Sequence, residues 1–314
     1  MAVTRDSLPT PRLSAVDLRG AAPRRRRELA VRLVFLAAAT VSILISVLII
    51  LALVGRAASF LFEVDPASLF ERGWFPRRDL FGLPTILAGT LVVAGIGMLV
   101  AAPLGLGAAI YLAEYAGPNM RRTLKPILEV LAGIPSVVLG YFAITVLSPT
   151  VVQSVCGGGV FSMASAGIAV GILITPLIAS VAEDALYAVP GSLREASYGL
   201  GARKRTTSLR VVFPAAISGI VAALILGASR AIGETMIVAI AAGASGGSLF
   251  ELNPCQTGQT MTAAMTALAI GSEQVRGASL AFPSLFFVGL ILFLMTLGLN
   301  LIADAYVRRV RRQI

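Results

Sequence analysis

The chain has 314 residues, of which 57% are hydrophobic and only 13% are charged, and its mean hydropathy is +0.87. Soluble domains carry about 25% charged residues, so this composition excludes an ordinary soluble protein and indicates a membrane protein. The net charge is +10 and the chain contains no histidine. The lack of histidine excludes Ser-His-Asp and Cys-His nucleophiles and histidine metal ligands, and we expect neither a catalytic site nor a metal site.

Six apolar stretches are long enough to cross a ~30 Å hydrocarbon layer as helices. We therefore predict an all-α polytopic membrane protein. The predicted spans are 33–55, one within 84–113 with a kink or boundary at Pro103, 130–147, 161–182 with a break at Thr175-Pro176, one within 211–244, and 285–303. The predicted organisation is a tail at 1–32, the first span at 33–55, a loop at 56–83, a core at 84–307 and a second tail at 308–314.

The basic residues fall mainly on one side of these spans. Twenty of the 26 lie before the first span, in the loops after the second and fourth spans, and after the sixth span. Basic residues accumulate in short cytoplasmic segments, so we predict that both termini are cytoplasmic and that the loops at 56–83 and 245–284 are external. Because this charge is spread over four segments without interleaved aromatic residues, it does not indicate nucleic-acid binding.

The two cysteines, Cys156 and Cys255, fall in predicted external loops, where disulfides persist. A bridge between them would join those loops. The alternative is two unpaired thiols, because the sequence does not show whether their Cα atoms lie within ~7 Å of each other.

The chain lacks the residues that bind ATP in a P-loop. That motif needs a Gly-rich turn followed by Lys and then Ser or Thr, whereas Lys125 is followed by Pro126 and Lys204 by Arg205. If transport is driven by ATP, a partner chain hydrolyses it. We therefore expect a transport subunit without enzymatic activity or a cofactor of its own.

The predicted cytoplasmic loop within 183–214 contains a specific pattern. Glu195, Ala196 and Ser197 are followed after three residues by Gly201, and after a longer interval by Pro214. The pattern resembles the EAA loop of the membrane subunits of bacterial ABC importers, which docks as a short helix on the ATPase. Small side chains permit close helix approach, a carboxylate offers a charge to a partner, and glycine permits a turn. These residues are the predicted ATPase-coupling segment.

Other motifs extend the resemblance to the permeases of the phosphate-specific ABC importer, of the PstC type. They are GTL at 89–91, PLG at 103–105, YLAEY at 111–115, EVLAGIPSVV at 129–138 and RAIGETM at 230–236. The resemblance implies a type I importer permease fold in a bacterial inner membrane. It also implies a PstA-like sister permease, two PstB-like ATPase subunits that hold ATP and Mg²⁺, a PstS-like extracytoplasmic phosphate-binding protein, and inorganic phosphate as substrate.

Arg230 and Glu234 are the only charged residues between positions 211 and 250. Charges at membrane depth are costly and are therefore functional candidates, and their i, i+4 spacing would place them on one helical face. A guanidinium is well shaped to bind phosphate oxygens. Glu234 would either orient Arg230 or accept a hydrogen bond from a P–OH group, which sulfate lacks. The alternative is an ion pair that only fixes helix packing.

Ser136, after Pro135, and Thr235, beside Glu234, are weaker pathway candidates because an unwound turn exposes hydroxyls and N–H groups to an anion; the alternative for both is helix packing. We therefore predict a phosphate permease subunit. The rival predictions are a permease for sulfate or molybdate, a proton-coupled anion transporter that works alone, and a membrane scaffold.

Overall fold

The computed structural model describes residues 22–243, 247–270 and 280–311. The chain divides into two units, residues 1–52 and 53–314. In the first unit the described residues form the larger part of helix α1 (Ala22–Glu63), and their side chains from Arg26 onward are exposed. An apolar helix with no buried face is suited to contact with lipid.

The second unit begins with the end of α1 and is otherwise almost entirely helical. A short hairpin of β1 (Trp74–Phe75) and β2 (Leu80–Phe81) precedes the helices, with Trp74 paired to Phe81. The helices are α2 (Leu83–Ile110), α3 (Pro118–Ala132), α4 (Ser136–Phe142), α5 (Gln153–Cys156), α6 (Met163–Tyr187), α7 (Gly191–Gly199), α8 (Lys204–Thr207), α9 (Phe213–Ala215), α10 (Ile217–Ile232), α11 (Met236–Ala241), α12 (Met261–Ile270) and α13 (Ala281–Arg311).

Five helical segments in the described part of the chain are long and apolar enough to cross a membrane, and a bent pair makes a sixth. The five are Arg26–Glu63, Leu83–Tyr115, Ser136–Cys156, Met163–Tyr187 and Ala281–Arg309. The pair is Lys204–Ala215 with Ile217–Ile232, bent by 72°. The all-α polytopic fold predicted from the sequence is confirmed.

The third span differs from its predicted position at 130–147. It runs from Ser136 to Cys156, and residues 130–132 belong to α3, a separate helix with no buried residues. α3 carries Arg121, Arg122 and Lys125 beside apolar residues, so a position across lipid would be costly for it. Pro135 separates the two helices, because the residue before a proline is disfavoured in helical conformation.

The predicted break at Thr175-Pro176 is wrong, because α6 continues through Pro176. Of the two alternatives predicted for Pro103, the boundary is wrong, because α2 continues through this residue. In α6 the hydroxyl of Thr175 donates to the carbonyl of Gly171 at 2.7 Å, and neighbouring helices cover this region of the helix. A proline removes one backbone donor without ending a helix that is held by packing on its neighbours.

The two predicted external loops also contain regular structure. Residues 56–63 continue α1, where Ala57 and Phe60 are buried against Phe81 and Phe287. α12 occupies 261–270 in the second loop and buries most of its side chains. The Met261 N–H donates to Thr90 Oγ1 at 2.9 Å. Since Thr90 lies about 10 Å along α2 from its start, the chain folds back into the bundle here.

The core forms around α2 and α6, which pack along most of their lengths. Gly171 of α6 faces α2 so closely that a Cβ at this position would lie 2.7 Å from Val100 Cβ and 2.9 Å from the Gly97 carbonyl oxygen. Small residues permit such close approach between membrane helices, where packing rather than the hydrophobic effect drives association. The two helices form a rigid centre on which α10, α11 and α4 are positioned.

Candidate pathway residues and the α7 segment

The chain unwinds between α10 and α11. α10 ends at Ile232, α11 begins at Met236, and Glu234 lies between them with 7% of its surface exposed. Glu234 Oε1 accepts hydrogen bonds from the backbone N–H groups of Met236 at 3.2 Å and Ile237 at 3.4 Å. A carboxylate at this position caps the donors that have no partner within the helix.

Arg230 and Glu234 do not lie on one helical face as their spacing predicts. The helix ends between them, and the structure gives no ion pair between the two among its described residues. Arg230 is exposed, whereas Glu234 is buried and its Oε1 is bonded to backbone. The glycine at 233 explains the difference, because glycine is unfavourable within a helix and commonly ends one.

The 72° bend near Ala216 fixes where the helix that carries Arg230 starts. Counted from Ile217, Arg230 lies about 20 Å along the helix axis at 1.5 Å per residue. If the helix instead began at residue 211, where the apolar run begins, Arg230 would lie about 28 Å or more along its axis. Pro214 is therefore part of the segment before the bend.

Thr235 opens onto a cavity of about 270 Å³. The cavity lies beside the unwound turn and is lined by Gly233, Thr235, Thr262, Met265, Thr266, Ala269, Leu285 and Leu292. Thr235 Oγ1 donates to the Gly233 carbonyl at 3.2 Å, and Thr262 Oγ1 donates to the Glu234 carbonyl at 2.7 Å. α12 thus supports the turn directly, which the sequence did not indicate because α12 was assigned to an external loop.

Ser136 is the first residue of α4 and is half-buried. One turn later, Gly140 lies against Ile237 and Ile240 of α11. Ser136 and Gly140 share a face of α4, so Ser136 lies on the side of α4 that faces α11. Glu234 and Thr235 lie together in the turn before α11, with Arg230 one helical turn before it, whereas Ser136 is on the neighbouring helix α4.

The α7 segment has exposed residues on its surface and one buried serine that forms a side-chain hydrogen bond. Glu195 and Ala196 are exposed, and Leu200 has 89% of its surface exposed. Ser197 is instead buried, and its hydroxyl lies 2.8 Å from that of Thr207. Gly201 adopts a φ of +78°, a left-handed conformation that favours glycine. The motif therefore forms a helix with a sharp end.

Arg194, just before this motif, joins α7 to the bundle. Its Nε and Nη2 atoms donate to Glu114 Oε1 at 3.1 and 2.8 Å. Its Nη1 donates to the Val189 carbonyl at 2.6 Å, and Nη2 also donates to that of Leu186 at 2.9 Å. The Ser208 hydroxyl donates to Glu114 Oε2 at 3.3 Å. The Glu114 side chain is 3% exposed and that of Arg194 is 20% exposed, so this is a largely buried, extensively bonded ion pair.

Comparison with known proteins decides the family. A family described as "Binding-protein-dependent transport system inner membrane component" matches residues 101–312. The chain belongs to this family. YqgH of Bacillus subtilis, named as an ABC transporter permease protein, is 33% identical over 278 residues, which are 87% of this permease and 88% of YqgH. The phosphate transport system permease protein PstC of Xylella fastidiosa is 31% identical over a match 294 positions long, which covers 84% of this permease and 88% of PstC.

A solved structure supports the architecture of the permease. A chain from a bacterial ABC transporter involved in the import of the acidic polysaccharide alginate has a TM-score of 0.61 and 16% identity, covering 91% of the permease and 99% of that chain. At this identity the likeness shows the fold alone. The permease is a PstC-like membrane subunit of an ABC importer, a family whose members lack an ATPase site of their own.

A second charged cluster in the permease joins α3 to α6. The fully buried Glu183 side chain pairs with Arg121 and with Lys125, whose Nζ lies 2.8 Å from Glu183 Oε2 and 2.6 Å from Asp184 Oδ1. Burial opposes the charged form of Arg121, but hydrogen bonds to Tyr187 and Glu183 outweigh it and raise its pKa. Hydrogen bonds to Asp184 and Glu183 raise the pKa of Lys125.

Cys156 and Cys255 form a disulfide in the permease, with their Cα atoms 5.4 Å apart. The bridge holds the segment after α5 against the segment that leads to α12. The backbone N–H groups of Met163 and Ala164 donate to the carbonyls of Gln256 at 3.0 Å and Pro254 at 2.7 Å. These bonds satisfy donors at the start of α6, so the Cys255 segment serves as its cap.

Proposed function

We propose that this chain is a permease subunit of an ATP-driven phosphate importer in a bacterial inner membrane. The observation that carries the proposal is the exposed Arg230, one turn before an unwound, carboxylate-bearing break in an apolar helix of a PstC-like permease. A guanidinium binds phosphate oxygens in a bidentate geometry. A break in a membrane helix presents backbone groups to a substrate. In this proposal the chain forms half of a pathway whose other half is a PstA-like sister permease.

The proposed orientation places the α7 segment and both termini in the cytoplasm, following the distribution of basic residues. The exposed face of α7, with Glu195, Ala196 and Leu200, then receives the ATPase, which supplies ATP and Mg²⁺ chemistry. A leucine exposed over 89% of its surface is costly in water, and contact with a partner would remove that cost. The disulfide end of the bundle faces the extracytoplasmic binding protein.

Glu234 contributes to anion selection in this proposal. Phosphate near neutral pH carries a proton on at least one oxygen, so it can donate a hydrogen bond to a carboxylate. Fully deprotonated sulfate offers no proton and is repelled by the negative charge. A single carboxylate can therefore discriminate against sulfate by repulsion. Thr235, in the break itself, and Ser136, at the start of α4, are the proposed additional hydroxyl donors.

The test is uptake of labelled phosphate by the complete transporter, reconstituted in proteoliposomes with its sister permease, ATPase and binding protein. Wild type is expected to accumulate phosphate in the presence of ATP, and equimolar sulfate is expected not to compete. Arg230→Gln is expected to lower uptake by at least tenfold while the subunits still copurify. Sulfate competing at equal concentration would assign the permease to another oxyanion, and loss of assembly in Arg230→Gln would show that Arg230 only fixes packing.

A further inference from the structure

We propose that the Arg194–Glu114 pair is the joint through which movement of α7 reaches the pathway, and that α2 is the rigid connection between the two. The proposal rests on the proposed function in one respect, that α7 receives the ATPase. It concerns positioning residues, because neither Arg194 nor Glu114 contacts the pathway.

The first step is the attachment of α7. Two side chains of α7 hydrogen-bond outside this helix among the described residues: Ser197 bonds to Thr207, in the segment before the 72° bend, and Arg194 bonds to the second and fourth spans. The Arg194 guanidinium contacts a carboxylate at the end of the second span, the Leu186 carbonyl at the end of the fourth, and the Val189 carbonyl two residues beyond it. Breaking a buried pair by removal of one partner leaves an uncompensated charge and is strongly unfavourable. Rotation of α7 independently of Glu114 would therefore break several part-buried hydrogen bonds at once.

The second step runs along α2 to the unwound turn. Thr90 lies about 30 Å along the helix axis from the end of α2 at Ile110. The second span then continues as a five-residue π-helical segment, Tyr111–Tyr115, which carries Glu114. The Thr90 hydroxyl accepts the backbone N–H of Met261 at 2.9 Å, at the start of α12. One residue later, Thr262 donates to the Glu234 carbonyl at 2.7 Å. The close packing of α2 on α6 makes this helix stiff, so displacement of one end is transmitted to the other.

The hydrogen bonds at Thr90 and Thr262 are buried, and those of Arg194 to Glu114 are part-buried. Energetic coupling through this network is measured as the effect at one end of a change made at the other. The readout is the ratio of phosphate imported to ATP hydrolysed. A purely structural defect reduces the amount of assembled transporter, so uptake and hydrolysis fall together and the ratio stays the same. A failed connection lowers uptake relative to hydrolysis, so the ratio falls.

The test uses the complete reconstituted transporter with Arg194→Gln, Glu114→Gln, their double variant, and Thr90→Val, which keeps the volume but loses the hydroxyl. ATP hydrolysis with and without loaded binding protein is measured beside uptake. Each single variant is expected to lower the uptake-to-hydrolysis ratio at least fivefold. The double variant is expected to have a ratio no lower than that of the more impaired single variant, because the effects of residues that act as one unit do not add.

Two matched controls change charge at the same end of the bundle without touching α7. Arg122→Gln removes an exposed cation of α3, and Lys125→Gln removes one partner of Glu183 while Arg121 remains. Both are expected to keep the wild-type ratio. A wild-type ratio in Arg194→Gln would overturn the proposal. If Arg194→Gln does not assemble, Arg194→Lys and Thr90→Val decide, and a wild-type ratio in both would likewise overturn it.

The outcome is separable from the proposed substrate. If wild type transports sulfate or molybdate and not phosphate, the same ratio is measured with that anion, and the joint is supported or overturned independently. If wild type hydrolyses ATP but imports none of these anions, stimulation of hydrolysis by the binding protein replaces the ratio. Full stimulation in Arg194→Gln and in Thr90→Val would then overturn the proposal.

Discussion

Glu234 has a structural task that any acceptor oxygen can perform and a charge that only a carboxylate carries. The structural task is to cap the first donors of α11 through Oε1. A glutamine offers the same oxygen without the charge, whereas an alanine offers neither. The two roles are therefore separable by substitution at one position.

We expect Glu234→Gln to melt at the wild-type temperature and Glu234→Ala to lose about 1 kcal/mol of stability, the usual cost of a lost helix cap. Thermal unfolding of the purified permease in detergent measures both. Glu234→Gln is also expected to lose part of the preference for phosphate over sulfate in the uptake assay. Equal destabilisation by Gln and Ala would contradict the capping role.

At the scale of residues, the sequence located charges but not their partners. Arg230 and Glu234 were found because charges are rare within apolar runs, yet their predicted shared face is wrong because a glycine ends the helix between them. Arg194 and Glu114 are 80 residues apart; Arg194 directly precedes the Glu195 motif, and Glu114 lies within the YLAEY motif at 111–115. A single sequence carries no signal for so distant a pairing.

At the scale of elements, α3 is attached to the bundle by charge. Its residues are not buried, and Lys125 contacts Glu183 and Asp184 of α6. Because these bonds raise the pKa of Lys125, the folded permease holds this proton more tightly than the unfolded chain does. The stabilisation is complete below the unfolded pKa of about 10.4 and is lost as the pH rises through the higher folded value.

Lys125→Met is therefore expected to be less stable than wild type at neutral pH, by about 1 kcal/mol for a part-exposed pair. The difference in melting temperature is expected to stay constant to about pH 10 and to shrink above it. Melting curves of both proteins between pH 7 and 11 provide the measurement. A difference that grows with alkaline pH would contradict the assignment of the proton to this pair.

The disulfide is the second attachment between elements. A crosslink over 99 residues removes chain entropy from the unfolded state and typically stabilises by about 2–4 kcal/mol. Replacement of both cysteines by serine is expected to lower the melting temperature by several degrees. Maleimide labelling of the unreduced, denatured permease provides the control, and two reactive thiols there would show that the bridge is not formed.

Elements were predicted well where hydrophobicity alone defines them and poorly where it does not. The six apolar runs correspond to the spans. α12 was missed because ten residues are too few for a membrane-spanning pattern, and it is held by Thr90 and Glu234 from other parts of the chain. The start of the third span was predicted at residue 130 instead of Ser136. The last residues of α3 are apolar, so hydrophobicity alone does not separate them from the span that begins after Pro135.

At the scale of the whole molecule, the orientation in the membrane is predicted from the distribution of charge. It rests on 20 of 26 basic residues lying in four segments and on the preference of such residues for the cytoplasm. With Cys156 and Cys255 replaced by serine, a single cysteine at exposed Leu200 or at exposed Leu249 reports the sidedness. An impermeant maleimide added to intact spheroplasts is expected to label position 249 and not position 200; the reverse would invert the topology.

The bridge between Cys156 and Cys255 also bears on how the permease is made. Ninety-nine residues separate the two cysteines, and the chain between them crosses to the α7 end and returns. The thiols can meet only after α6, α10 and α11 have been inserted with correct sidedness. In the proposed orientation, in which the disulfide end faces an oxidising extracytoplasmic space, the bond would form only in correctly inserted chains. Its formation during biogenesis would therefore report that α6, α10 and α11 are in place.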